Sequence, residues 1–144
     1  MSTNTTDKQL EALPAIPFPF ALSLGDTEIS HAGLKHLRGL KNLTGLYLGG
    51  TAITNAGLKE LAAQPNLSSL SLTGTKVTDN GLRDLASLRK LTSLSLSGTR
   101  VTNAGLVHLR SMTNLMELSL DESDVTAEGV AELRKALPKC DIFK

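Results

Sequence analysis

Hydroxyls, carboxylates and three histidines are the groups that could do chemistry in this 144-residue chain. They are densest in stretches such as LSLSGTRVTNAGL, Leu94 to Leu106, where Gly98 stands between Ser97 and Thr99 and a second glycine precedes the last leucine. A phosphate cradle would use such residues only with a GK[ST] step that brings a lysine to the phosphates. A serine nucleophile on a strained turn would need G-x-S-x-G. Neither pattern occurs. The single Cys140 can close no internal disulfide and cannot hold zinc alone, which fits a reducing compartment. The formal charge is +1, from 15 basic against 14 acidic residues, and no basic stripe interleaves with aromatics. Nucleic acid is therefore not an expected partner.

The elements that must position these groups repeat every 24 residues. The pair L-x-L stands at Leu22/Leu24, Leu46/Leu48, Leu70/Leu72, Leu94/Leu96 and Leu118/Leu120, and Ile142 continues the first column. A hydroxyl column follows at Thr27, Thr51, Thr75, Thr99 and Ser123, then a β-branched column from Ile29 to Val125. A glycine column runs through Gly33, Gly57, Gly81, Gly105 and Gly129. Around L-x-L the period is two, which predicts a short strand. After the hydroxyl column, Ser30, Thr54, Thr78, Thr102 and Thr126 stand where a helix N-cap would be. Apolar residues such as Leu82, Leu85 and Leu88 then mark one face of a helix of two to three turns. No unit of this size buries its own apolar face; stacked units do. Glycine costs about 1 kcal/mol in a helix relative to alanine. Its recurrence therefore implies close backbone approach between neighbouring turns, not a ligand contact.

The pattern, as in LTSLSLSGTRVTNAGLVHLRSM, resembles the leucine-rich-repeat family, in the 24-residue bacterial variety akin to cysteine-containing and ribonuclease-inhibitor-like repeats. The resemblance implies an α/β right-handed solenoid, or horseshoe, with a parallel sheet of five to six short strands on the concave side and short helices on the convex side. Relatives often carry Cys or Asn in the turn after the strand, where the side chain serves backbone groups of adjacent turns. The Thr/Ser column here implies a hydroxyl ladder in that role. Five units cover residues 22–141, residues 7–21 read as a degenerate helical cap, 142–144 as a short closing strand, and 1–6 as disordered. Leu10, Leu13 and Ile16 share the columns of Leu34, Leu37 and Leu40, and Phe18 or Phe20 is expected to cover the first core layer. Gln64 and Pro65 predict a shorter helix or a bend in the second unit.

A polar loop recurring five times is punctuation in a scaffold, not five active sites. His36 and His108 occupy one column three units apart, about 14 Å or more at strand spacing, too far to share a metal. Arg100 and Asp124 stand next to one another in their column and are expected to form an exposed ion pair. What remains is the sheet face. Between and beside the leucines it presents Tyr47, Ser71, Thr73, Ser95, Ser97, Glu117, Ser119, Asp121 and Asp141, a small hydroxyl-rich surface with one large aromatic and an acidic end. These residues are the candidate protein-binding face, with Tyr47 as the interface anchor; the alternative is a solvated face kept free of sticky residues. The expected protein is a non-catalytic interaction module for a protein or peptide, without cofactor, metal or catalytic residues; the alternative is an architectural segment of a larger protein. A start without a charged and apolar leader, and no long apolar run, predict a cytoplasmic monomer that binds no membrane.

Overall fold

The computed structural model describes residues 5–144. Six strands, β1 (Phe20–Ser23), β2 (Leu43–Tyr47), β3 (Ser69–Ser71), β4 (Ser93–Ser95), β5 (Glu117–Ser119) and β6 (Asp141–Phe143), form one open parallel sheet in chain order. Leu22, Leu46, Leu70, Leu94, Leu118 and Ile142 sit side by side across it, so the sequence period is the sheet register. The second leucine of each pair, Leu24 to Leu120, is fully buried. Each such side chain contributes about 1.5–3 kcal/mol by leaving water, and stacking makes the layers one continuous core.

Helices return the chain on the other side: α1 (Asp7–Glu11), α2 (His31–Leu34), α3 (Asn55–Leu61), α4 (Asp79–Leu85), α5 (Asn103–Leu106) and α6 (Ala127–Ala136). The first five are shorter than the two to three turns expected. Residues Lys35–Gly39 and Val107–Leu109, which continue α2 and α5, are 3-10 helix. Leucines at i, i+3 and i+6 admit three residues per turn as well as 3.6, and the same spacing is α-helical in α4. Nor does the second unit shorten. Its α3 has seven residues, as many as α4, because Gln64 takes a core position in the column of Leu40 and Leu88 and donates from Nε2 to the Leu37 carbonyl at 2.7 Å.

The hydroxyl column does not tie repeat to repeat. Each of Thr27, Thr51, Thr75, Thr99 and Ser123 donates to the carbonyl three residues back in its own turn, at 2.5–2.7 Å. A hydroxyl ladder between repeats exists one strand-length earlier, where Thr44, Ser68 and Thr92 donate to the carbonyls of Phe20, Thr44 and Ser68. Beside it, Asn42, Asn66 and Asn114 donate to Ile16, Lys41 and Arg89 carbonyls of the preceding repeat. The turns after the strands need a left-handed residue, supplied by Gly50, Gly74 and Gly98 with φ of 64–69°. Asp26 and Glu122 adopt the same conformation in the first and last turns, with φ of 54° and 57°.

The N-terminal segment is more ordered than expected over its last two residues. Thr5 is buried and its carbonyl accepts from Glu28 N–H, while Thr6 caps α1. Those bonds fix residues that composition alone reads as a polar tail; residues 1–4 lie outside the described part. Phe20 packs against the core, whereas Phe18 is 62% exposed.

Candidate protein-binding face

Alternation along each strand sends the leucines inward and leaves the intervening residues on the open sheet face. Ser71, Ser95, Ser119 and Phe143 form one row across β3 to β6, with Tyr47 in the same row on β2. Ser69, Ser93, Glu117 and Asp141 form the row behind it. Ser71 and Thr73 hydroxyls meet at 3.1 Å, Thr73 and Ser95 at 2.9 Å, and Ser95 donates to Ser97 at 3.5 Å. Four of the expected site residues are thus one chain of hydroxyls that bond each other. Each of these bonds joins side chain to side chain.

Tyr47 is 43% exposed and lies back along its strand. A methyl placed at Gly45 would stand 3.6 Å from the Tyr47 hydroxyl and 2.8 Å from the Ala21 side chain. Gly45 therefore leaves room for both the Tyr47 hydroxyl and the Ala21 side chain, a fit that composition does not reveal. At the opposite end Glu117 and Asp141 are register neighbours, and Ser93 donates to Glu117 at 3.4 Å. Asp121 follows β5 on the exposed side. Phe143, 48% exposed, lies beside Ser119 and belongs with the face. It stands 24 residues after Ser119 and so continues the column of Tyr47, Ser71 and Ser95. Tyr47 stands three strands from Glu117, about 14 Å at ordinary strand spacing, so the aromatic and acidic ends do not form one cluster. No lysine or arginine occupies any strand position of the face.

The acidic end also acts on Cys140 behind it. Burial pushes the thiol up to about 11, and the Asp141 and Glu117 carboxylates add to the shift. A thiol held protonated is a poor nucleophile and a poor metal ligand. Among the described residues no group of three or more His, Cys, Asp or Glu is placed to hold a metal ion. His36 lies in the 3-10 segment after α2, and His108 in that after α5, on the helical side. Arg100 and Asp124 do not pair: among the described residues the ion pairs are Arg38–Glu60 at 2.6 Å and Glu132–Lys135. The two residues instead give backbone N–H groups to the Val77 and Val101 carbonyls of preceding repeats, leaving their charged ends in solvent. Gln64, though a break in the repeat, belongs to the core and not to the face.

The pattern of the family described as Leucine Rich repeat matches residues 39–62, 63–86 and 87–109, three consecutive units in the register of the sheet. The chain is a leucine-rich-repeat protein. Its open sheet is the concave side of the solenoid. Solved structures agree. A leucine-rich-repeat protein of Leptospira interrogans shares 24% identity at a TM-score of 0.64, over 87% of this chain and 37% of that one. An internalin of Listeria monocytogenes, InlF, shares 27% at 0.62, over 86% and 34%. Internalin C2 of the same species shares 22% at 0.65, over 96% and 65%. The chain thus spans between about a third and just under two thirds of the structures it resembles. No curated protein sequence matches it significantly. No helix among the described residues is long and apolar enough to cross a membrane.

Proposed function

We propose that this leucine-rich-repeat protein is a non-catalytic interaction module that takes a protein or peptide segment on its concave face. The observation that carries the reading is the hydroxyl row Ser71–Thr73–Ser95–Ser97, free of bonds to the backbone and flanked by exposed Tyr47 and Phe143. Tyrosine in particular combines apolar area with a polar tip and little entropy to lose on binding. The serines face other hydroxyls and Glu117, with no histidine on the strands to serve as a base, which favours recognition over catalysis. The partner segment over Glu117, Asp121 and Asp141 is basic or neutral, since a carboxylate there would meet like charge. The protein acts as a monomer in the cytoplasm, a placement supported by the single buried thiol.

Affinity capture from the native cell tests this, comparing wild type, a Tyr47→Ala/Asp121→Ala variant, and a helical-side control, Lys59→Ala/Arg83→Ala. Proteins retained by wild type and control but lost from the concave variant support the proposal. Equal recovery by all three refutes the concave-face reading. An architectural segment of a larger protein is the second reading, favoured by the part-length cover of the matched structures. Aggregation of the isolated chain, in place of cooperative monomeric unfolding, would favour it.

A further inference from the structure

Side chains at fixed columns join one repeat to the next. At three helical-side junctions they keep to their columns: Asn55, Asp79 and Asn103 each accept from the N-cap N–H of the next repeat, at Thr78, Thr102 and Thr126. A methyl at Gly81, Gly105 or Gly129 would clash with those side chains. What approaches the glycine there is the preceding repeat's side chain, not its backbone.

The edge at which the strands begin is different. Its turns are 39–44, 63–68, 87–92, 111–116 and 135–140, and two adjoining ones abandon their columns. Asn42, Asn66 and Asn114 hold an asparagine column in which the third place is taken by Lys90. Asn66 and Asn114 donate to the Lys41 and Arg89 carbonyls, each 25 residues back. Lys90 has no amide to give, and the Pro65 carbonyl in the equivalent place accepts nothing from the described residues. Lys90 Nζ turns to Asn66 Oδ1 instead, at 2.6 Å. The hydroxyl column of Thr44, Ser68 and Thr92 likewise ends at Met116, which is 54% exposed. These turns touch: Asn114 Nδ2 bonds the Arg89 carbonyl and Met116 N–H the Thr92 carbonyl, both at 2.8 Å. Asp141 N–H bonds the Met116 carbonyl at 2.8 Å and brings in the turn that carries Lys139.

Charge on this edge has one sign. Its five turns contain Lys41, Arg89, Lys90, Lys135 and Lys139, all exposed, and no Asp or Glu. The opposite edge holds Asp26, Glu28, Asp121, Glu122 and Asp124 against Lys76 and Arg100. Among the described residues Lys41, Arg89, Lys90 and Lys139 enter no ion pair. Three successive turns thus present Arg89 and Lys90, then Met116, then Lys139: cation, apolar side chain, cation. At about 4.8 Å per turn the strip is about 10 Å long, the reach of about three residues of extended chain.

We infer that this strip is a docking surface for an extended acidic segment of a partner protein, which sets an apolar side chain on Met116 between carboxylates facing Arg89, Lys90 and Lys139. Charge complementarity selects the segment, and methionine adapts to the apolar residue. Glu117 and Asp141 border the strip on the concave side, where a flat anionic membrane would meet like charge and a single chain passes beside them. None of the three turns carries an aromatic side chain on which a nucleic-acid base could stack. The inference does not depend on the concave-face reading.

Restoring the columns tests it. Lys90→Asn/Met116→Thr gives the edge the residues that its other turns carry. A random peptide library displayed on phage is depleted on that variant and then selected on the full-length wild type. Enriched peptides are expected to carry an apolar residue between Asp or Glu. In fluorescence anisotropy such a peptide should bind the double variant at least about tenfold more weakly than wild type, although the variant melts at or above the wild-type midpoint. Arg89→Gln/Lys139→Gln, which leaves both columns alone, should show a loss of the same order, and Tyr47→Ala none. The inference is overturned by an absence of enrichment, by enriched peptides without acidic residues, by a double variant that binds as wild type or melts below it, or by loss with Tyr47→Ala. Retention of wild type on phosphatidylserine vesicles with no peptide enriched would assign the strip to a membrane instead.

Discussion

Thr99 and Ser95 lie four residues apart in one repeat and have opposite employments. Thr99 is buried in the turn and donates to the Leu96 carbonyl at 2.6 Å. Ser95 lies on the concave face and meets the hydroxyls of Thr73 and Ser97. The first gives a buried turn a second bond to a carbonyl that also accepts from Thr99 N–H at 3.2 Å, so its loss removes one of two bonds there. The second trades hydroxyl contacts that water replaces at little cost. Residue type does not separate scaffold from surface here; the acceptor does. The turn and junction hydroxyls hold the repeats, and the face hydroxyls are left for recognition.

Removing a junction side chain breaks the scaffold half of that contrast hardest. Asp79→Ala deletes two charge-assisted bonds to Thr102 and is expected to cost about 2–3 kcal/mol, read from the midpoint of denaturant unfolding. Thr99→Val removes one buried hydroxyl bond and should cost about 1 kcal/mol by the same measurement. Glu122→Gly works in the opposite sense. Its left-handed backbone suits glycine, as at Gly98 in the preceding turn, and a gain of about 0.5–1 kcal/mol is expected in thermal melts. Cys140 gives a pH signature. Its thiol is raised in the folded protein to about 11, so folding favours the protonated form. The contribution is complete below the ordinary thiol value of about 8.5 and is lost as pH rises through 11. Stability of wild type should therefore fall over that window more than stability of Cys140→Ala. The smallest effect is predicted on the face, where Ser71→Ala should leave stability within about 0.5 kcal/mol.

The contrast also explains what sequence could and could not reveal. Leu70, Leu94 and Leu118 announce the register because apolar burial fixes both spacing and direction, and the sheet pairs them as spaced. The face followed from the same alternation, so Ser71, Ser95, Ser119 and Glu117 were placeable in advance. Hydrogen-bond partners were not. The Thr99 column looked suited to joining repeats, but its acceptor is three residues back. The joining belongs to Thr44, Ser68 and Thr92, and to Asp79 and its equivalents. A column specifies a donor, while the acceptor depends on how closely two turns approach. The same limit hid the approach of the Tyr47 hydroxyl to Gly45. Helix length escaped for another reason: leucines three apart fit a 3-10 turn as well as an α-helix, and only the packed structure decides between them.

The most direct test sets the two sets of hydroxyls against each other by equilibrium unfolding of full-length variants. Ser71→Ala/Ser95→Ala/Ser97→Ala removes the face row, and Thr75→Val/Thr99→Val removes two turn bonds. The face variant is predicted to unfold at the wild-type midpoint, and the turn variant to lose about 2 kcal/mol, the sum of two buried bonds. A face variant destabilised as much as the turn variant would show that the concave hydroxyls hold the fold, and would contradict the assignment of that face to recognition.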